Sequence, residues 1–166
     1  PVTLSVVEPF DYAAGALGGT ATNATGLTGN WSSRGTSHSI AAGSLTLPTG
    51  YGFTPAGGRL VYDTSWGGVK ASLEPAAQIN FNSDSITYLS FLLNPGTSGG
   101  LFRLTFLAGS TEVGYVGEAN IFTQLEANLG SSDRGSTFPV DETVLVVAKI
   151  ETSSSGSDTI SASFFS

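Results

Sequence analysis

Two acids near the start of the chain are the first residues whose types and spacing suggest chemistry. Glu8 and Asp11 lie three residues apart in the segment VEPFDYAAG, with a proline between them. Two carboxylates can act as general acid and general base on a glycosidic bond when both point into one cleft. At this spacing, however, Glu8 and Asp11 do not fall on one face of a strand. We expect Asp11 to hold a turn by accepting backbone N–H bonds, and neither acid to be catalytic.

The remaining acids do not form a catalytic pair either. Glu74 and Asp84 are isolated beside proline or turn residues. Asp141 and Glu142 are adjacent, which places them on opposite faces of a strand. The only histidine is His38, which we expect to be a loop or strand-start residue bonded to nearby hydroxyls. No cysteine nucleophile and no G-x-S-x-G motif occur. The sequence predicts that the protein is not an enzyme, with a polysaccharide hydrolase or lyase as a disfavoured alternative.

Aromatic residues in glycine-rich segments suggest sugar binding instead. A sugar needs a flat apolar ring for stacking and hydroxyl or amide groups for its own hydroxyls. The alternative is that Trp31 and Trp66 are buried and seal the edges of the fold beneath the loops. The candidate ligand-binding residues are Trp31, Tyr51, Phe53 and Trp66, with Arg34 and Asn30 as polar neighbours.

The composition limits the class of partner. The 166 residues include six basic and thirteen acidic side chains, for a net charge of −7. A nucleic acid or an anionic membrane surface is therefore disfavoured, because both require clustered Lys and Arg. The longest apolar runs, LSFLL and VLVVA, are far shorter than the roughly 20 residues of a membrane-spanning helix. Only 11% of the residues are charged, and the hydroxyl-rich surface is typical of extracellular β proteins.

Short alternating segments predict an all-β fold. In LFRLTFLA, Phe102, Leu104 and Phe106 alternate with polar residues, and TVLVVAKI and TISASFF repeat this period. SITYLSFLLN is apolar on both faces and is therefore predicted to be a central, covered strand. NIFTQLEANLG could form a helical turn, although a strand is the simpler interpretation. Shorter predicted strands are Thr3–Val7, Ser44–Leu47, Arg59–Tyr62, Ala76–Phe81 and Glu112–Val116.

About ten strands joined by Gly/Ser/Asp turns indicate two antiparallel sheets packed face to face. We predict one domain over residues 1–166. Residues 13–58 are rich in Gly, Ser and Thr, and we expect long surface loops there.

Five segments occur in an order that resembles a known family. They are EPFDYAAGALGG, GNWSS, AGSLTLP, ITYLSFLLN and FRLTFLAG. Over roughly residues 8–160 the chain is similar to the concanavalin A-like (LamG-type) domains of large secreted bacterial proteins, notably those of planctomycetes and verrucomicrobia that carry sorting tails. The resemblance implies a jelly-roll β-sandwich of two antiparallel sheets, an extracellular or cell-surface location, and a ligand that is frequently a sugar.

A structural calcium ion is a further expectation. Sandwiches of this resemblance often hold one calcium ion that ties the chain ends together, and calcium prefers six to eight oxygen ligands. Glu8 and Asp158 are the candidate side chains, which could approach each other if the first and last strands pair. The alternative is that Glu8 ends a strand and Asp158 caps a turn.

The function that the sequence favours is a non-catalytic, extracellular module that binds a polysaccharide or glycan. The alternative is a structural or adhesive protein of a surface layer, matrix or filament. Unpaired sheet edges and hydroxyl-rich loops would suit such self-association.

Overall fold

The fold is all-β, as the sequence predicts. The computed structural model describes residues 6–34, 38–47, 49–62, 68–94, 102–118, 124–129, 132–137 and 141–166. Within these ranges the regular structure consists of antiparallel β-strands and one short 3₁₀ turn, Pro75–Ala77. None of the described segments forms a helix with the length and apolarity needed to cross a membrane.

The chain divides into two compact units. Unit 1 comprises Pro1–Ser44 and Thr54–Ile79, and unit 2 comprises Leu45–Phe53 and Asn80–Ser166. The prediction of a single domain over residues 1–166 stays a prediction. The strands of unit 1 are β1 (Gly15–Ala16), β2 (Leu27–Arg34), β3 (His38–Ala41), β4 (Arg59–Tyr62) and β5 (Gly68–Leu73). Those of unit 2 are β6 (Ser85–Leu93), β7 (Arg103–Ala108), β8 (Thr111–Glu118), β9 (Gln124–Asn128), β10 (Ser132–Thr137), β11 (Val144–Thr152) and β12 (Thr159–Phe165).

Unit 1 contains two small sheets. One has the strand order β1-β3-β4, and the other pairs β2 with β5. The ladder between β2 and β5 shifts register between Thr28 and Ser32, so β2 bulges in its middle. The buried centre of the unit consists of Leu17, Trp31 and Ile40. Half-buried apolar residues from β2, β4, β5 and the N-terminal segment pack around this centre.

Unit 2 is built from a four-stranded sheet, β10-β9-β8-β7, and a three-stranded sheet, β12-β11-β6. The alternation predicted for β11 is confirmed, because Val144, Val146 and Ala148 are all almost fully buried. They form one core with Val116 and Leu125 of the four-stranded sheet. The two sheets of unit 2 therefore share an apolar interior, as in a β-sandwich.

Several predicted strands are confirmed and others are wrong. Arg59–Tyr62 is β4, Glu112–Val116 lies within β8, and NIFTQLEANLG contributes the strand β9. Ser44–Leu47 forms no strand, since it has no ladder partner among the described residues. Ala76–Phe81 is also not a strand. Proline at position 75 cannot donate to a ladder and instead begins the 3₁₀ turn.

Two further expectations need correction, and a third falls partly outside the described residues. SITYLSFLLN is a strand, but it is not covered on both faces, because Ile86 and Tyr88 of β6 are exposed. Residues 13–58 are not only loops, because β1, β2 and β3 lie within them. Of the predicted strand Thr3–Val7, residues 3–5 fall outside the described ranges, and Val7 forms an isolated bridge with Thr25.

Candidate functional site

A groove in unit 1 is the candidate binding site. Its volume is about 510 Å³, which is large enough for a small organic ligand. Backbone and side chains from the β1 region, β2 and the start of β3 form its walls. The lining residues are Ala16, Gly18, Gly19, Asn30, Trp31, Ser32, Ser33 and His38.

The groove exists because residues 19–22 run beside β2. The Gly19 N–H donates to the Trp31 carbonyl at 2.7 Å, and the Trp31 N–H donates to the Thr20 carbonyl at 2.8 Å. Glycine is required at position 18, since a Cβ there would lie 2.7 Å from the Cβ of Ser33. Gly19 has a φ of +85°, a conformation that other residues rarely adopt. The two glycines thus let the backbone itself form one wall.

Trp31 is a core residue that also reaches the groove. It is 8% exposed and its ring stacks on Phe10, with centroids 6.0 Å apart. Its indole Nε1–H donates a hydrogen bond of 3.0 Å to the hydroxyl of Tyr12. Trp31 is therefore buried, as in the alternative considered for it. Only a small part of its indole can contact a ligand.

The polar groups that line the groove in the described part of the chain carry no permanent charge. Asn30 and Ser32 are exposed on alternate positions of β2, and Ser33 is half-buried. His38 begins β3 and is 6% exposed, which confirms its expected place at a strand start. None of the described Asp, Glu, Lys or Arg side chains lines the groove. The site thus offers hydroxyl, amide and imidazole groups beside an apolar indole and bare glycine backbone.

Glu8 and Asp11 both take part in hydrogen bonds near the start of unit 1. The Glu8 carboxylate accepts hydrogen bonds from the Phe10 N–H and, at 2.8 Å, from the Tyr12 hydroxyl. It therefore holds a turn in which Phe10 has a φ of +52°. Asp11, the predicted turn-maker, contributes its backbone carbonyl, which accepts from the Asn23 side chain at 2.9 Å. The turn-making role predicted for the Asp11 carboxylate is not observed, because the Glu8 carboxylate is the group that accepts the Phe10 N–H.

Tyr12 joins this turn to the groove wall. Its hydroxyl donates to Glu8 and accepts from the Trp31 Nε1–H and, at 3.3 Å, from the Asn23 N–H. One donor and two acceptor positions are all that a tyrosine hydroxyl has. Burial raises the pKa of Tyr12, and the neighbouring Glu8 carboxylate acts in the same direction.

The proposed calcium ligands lie in different units. Glu8 belongs to unit 1 and Asp158 to unit 2. The Asp158 carboxylate accepts the Ser153 N–H at 2.9 Å, which is the turn-capping role weighed for it. Among the described residues, no group of three or more His, Cys, Asp or Glu side chains could hold a metal ion. Calcium at Glu8 and Asp158 stays a prediction.

Tyr51 and Phe53, two of the other predicted ligand-binding residues, are not among the residues that line the groove. Tyr51 and Phe53 belong to unit 2, where Tyr51 packs edge-on against Phe165 with centroids 6.2 Å apart. Phe53 is 56% exposed. Arg34 is the last residue of β2, opposite Gly68, and its side chain is not described. Trp66 lies outside the described residues.

Two buried acids in unit 2 were not among the sequence candidates. Glu126 of β9 is 5% exposed and accepts a hydrogen bond from Tyr115, whose pKa is raised by burial and by this carboxylate. Glu118 of β8 is equally buried. Glu126 is opposite Gly117, whereas Glu118 is opposite Leu125, so the two carboxylates lie on opposite faces of the sheet. The two carboxylates therefore cannot act together on one bond. The sequence signal that could have identified Glu126 is its position between the apolar residues Leu125 and Ala127 in a strand.

Arg103 completes the polar group around Tyr115. Its guanidinium carbon lies 4.0 Å from the Tyr115 ring centroid, and its Nη2 forms an ion pair of 2.9 Å with Glu112. The Arg103 guanidinium thus interacts with both the Tyr115 ring and the Glu112 carboxylate on the face of the four-stranded sheet. The arrangement stabilises unit 2 and leaves the groove of unit 1 as the candidate site.

The comparisons with known proteins do not identify the chain. No protein-family model, curated protein or solved structure matches it.

Proposed function

We propose that this chain is a non-catalytic, extracellular carbohydrate-binding module and that the groove of unit 1 holds a sugar. The observation that carries the proposal is the lining of the groove. It combines the amide of Asn30 and the hydroxyls of Ser32 and Ser33 with the indole of Trp31. Sugars are recognised by this combination of hydrogen-bonding groups and an apolar ring.

The geometry of the acids favours binding over hydrolysis. Hydrolysis of a glycosidic bond requires two carboxylates separated by about 5–10 Å across one cleft. No carboxylate of the described residues lines the groove, and the buried acids Glu118 and Glu126 face opposite sides of their sheet. A hydrolase or lyase is therefore the weaker proposal.

The test is sugar binding by the intact chain and by variants of exposed groove residues. Binding found on a glycan array should be measured by calorimetry with Asn30→Ala and Ser32→Ala. Loss of one ligand hydrogen bond costs about 0.5–1.5 kcal/mol, so each variant should bind about two- to tenfold more weakly. Trp31→Ala is unsuitable because removing a buried tryptophan costs about 3–5 kcal/mol of stability.

Matched controls exist on the same pair of strands. Thr28 of β2 and Ser72 of β5 are exposed, oppose each other and do not line the groove. Thr28→Ala and Ser72→Ala should keep the wild-type affinity. Phe53→Ala tests a predicted contact that lies outside the groove. Weaker binding by Phe53→Ala with unchanged binding by Asn30→Ala would move the site to unit 2.

A second candidate function is self-association in a surface layer, matrix or filament. It is favoured by the outer face of the three-stranded sheet, where Ile86 and Tyr88 are exposed and Tyr88 is 68% accessible. Exposed apolar side chains on a sheet face can become an interface. Sedimentation of the wild type and of an Ile86→Ser/Tyr88→Ser double variant tests this function. Polymers formed by the wild type without sugar and lost in the double variant would support it.

A further inference from the structure

A basic residue lies beside the groove without lining it. Lys70 of β5 is directly opposite Ser32 of β2 in the antiparallel ladder, and Ser32 is a groove residue. Directly opposed residues share one face of a sheet, with Cβ atoms about 4.5–5.5 Å apart. Lys70 is exposed, and its flexible four-carbon stem is long enough to bring the ammonium to the groove edge.

The charge of Lys70 is not used elsewhere in the described part of the chain. The ion pairs there join Arg103 to Glu112 and Lys149 to Glu151. The guanidinium of Arg59, another base of unit 1, donates instead to the carbonyls of Ala42 and Gly43 at 2.8 and 3.0 Å. Lys70 thus presents a positive charge that no described carboxylate neutralises.

The acidity of the chain is unevenly distributed. The segments of unit 1 contain three Lys or Arg against four Asp or Glu, whereas those of unit 2 contain three against nine. Unit 1 is therefore almost neutral, and none of the carboxylates that the structure describes lines the groove. Among the described residues, a negative ligand at the groove meets Lys70 as a nearby cation and no lining anion, although the protein as a whole is acidic.

We infer that the sugar bound in the groove carries a negative charge and that Lys70 is the residue that selects it. This inference rests on the proposed carbohydrate-binding function and specifies its ligand class. Asn30 and Ser32 hydrogen-bond the sugar hydroxyls, while the Lys70 ammonium pairs with a carboxylate or sulfate on the same or the adjoining sugar residue. A lysine is suited to this role as a compact point charge.

The experiment compares acidic glycans with neutral forms of the same backbone. The probes are oligosaccharides of polygalacturonate and polymannuronate with their carboxyl-reduced forms, and a sulfated galactan with its desulfated form. Affinities are measured by calorimetry at low salt and again at about 0.5 M NaCl, where screening is strong. The proteins are the wild type, Lys70→Gln and Lys70→Arg, with Lys149→Gln as the matched control in unit 2.

The expected result is a preference for at least one acidic probe over its neutral form. An exposed charge pair is worth up to about 1 kcal/mol, so the preference should be about fivefold and should fall at high salt. Lys70→Gln should remove the preference, whereas Lys70→Arg and Lys149→Gln should keep it. The carboxylated and sulfated probes then show which acidic group is selected. Circular dichroism and melting should be unchanged in Lys70→Gln, because the side chain is exposed.

Three other outcomes separate this inference from the function on which it rests. Equal binding of acidic and neutral forms overturns the inference and leaves the carbohydrate-binding function intact. A preference that survives in Lys70→Gln overturns the role of Lys70. Absence of binding to every glycan, acidic or neutral, by folded protein overturns both the inference and the proposed function.

Discussion

The indole N–H of Trp31 and the hydroxyl of Tyr12 form a hydrogen bond of 3.0 Å in the core of unit 1. Through the same hydroxyl, Tyr12 donates to Glu8 at 2.8 Å. The wall of the groove is therefore connected to the turn at residues 8–12 by one phenol. This connection explains why Trp31 can line the groove and still be held in one orientation.

Removing the Tyr12 hydroxyl should destabilise the protein. In Tyr12→Phe the buried Trp31 N–H loses its acceptor and Glu8 loses one donor, which should lower the free energy of unfolding by about 1–3 kcal/mol. Urea unfolding measures this difference. Tyr88→Phe is the control, since Tyr88 is exposed and its change should stay within about 0.5 kcal/mol. Equal stability of Tyr12→Phe and the wild type would contradict a contribution from this network.

Gly117 in β8 should not tolerate a side chain. It has a φ of +137°, and a Cβ there would lie 2.6 Å from the Phe102 carbonyl oxygen and 2.7 Å from the Arg103 Cα. Gly117→Ala should therefore lower the free energy of unfolding by about 1–3 kcal/mol or more. Gly52→Ala is the matched change in the same unit, because the space around Gly52 is open and its φ is not positive. Equal melting temperatures for Gly117→Ala and Gly52→Ala would refute the clash.

The strand β11 of unit 2 was predictable because its burial repeats with the period of a strand, whereas β10 lies in a Gly/Ser/Asp segment that predicts a turn. Val144, Val146 and Ala148 alternate in the sequence and are buried in β11. In unit 1, β2 was missed since its ladder has a register shift and Gly29 has a φ of +78°, which interrupt the apolar alternation. Ser44–Leu47 has the composition of a strand, but no partner among the described residues pairs with it.

The candidate site was only partly predictable for a related reason. Trp31 and Asn30 were named from their residue types. However, the groove depends on residues 19–22 running beside β2 and on Gly18 packing against Ser33. Such long-range pairings leave no local signal. The relation of Lys70 to Ser32 likewise depends on the register of β2 with β5.

The calcium hypothesis makes a prediction that does not depend on sugar binding. If Glu8 and Asp158 contribute to one ion, the melting temperature should be higher in about 1 mM calcium than in excess EGTA, since a ligand of the native state stabilises it. Asp158→Asn should abolish this difference. Superimposable melting curves in calcium and EGTA would rule out a stabilising ion at these residues.

Asp84 should give unit 2 a defined sensitivity to acid. Its carboxylate accepts the Ser154 N–H at 2.8 Å and the Ser154 hydroxyl at 3.0 Å, and these bonds lower the pKa of Asp84 below its ordinary value. Because the folded state favours the charged form, the stabilisation is present above the unfolded pKa of about 3.9 and is lost as the pH falls through the folded value. Asp84→Asn removes this titration.

The difference between wild type and Asp84→Asn should therefore be larger at pH 7 than at pH 2. Urea unfolding at both values measures it, and the wild type at pH 7 is the reference. Ser154→Ala keeps the backbone N–H donor to Asp84 and removes only the hydroxyl. When Asp84→Asn is made in a Ser154→Ala protein, its effect on stability should therefore depend on pH less than in the wild type, but should still depend on it. A stability difference between wild type and Asp84→Asn that is the same at pH 2 and pH 7 would show that the two Ser154 bonds do not favour the charged carboxylate.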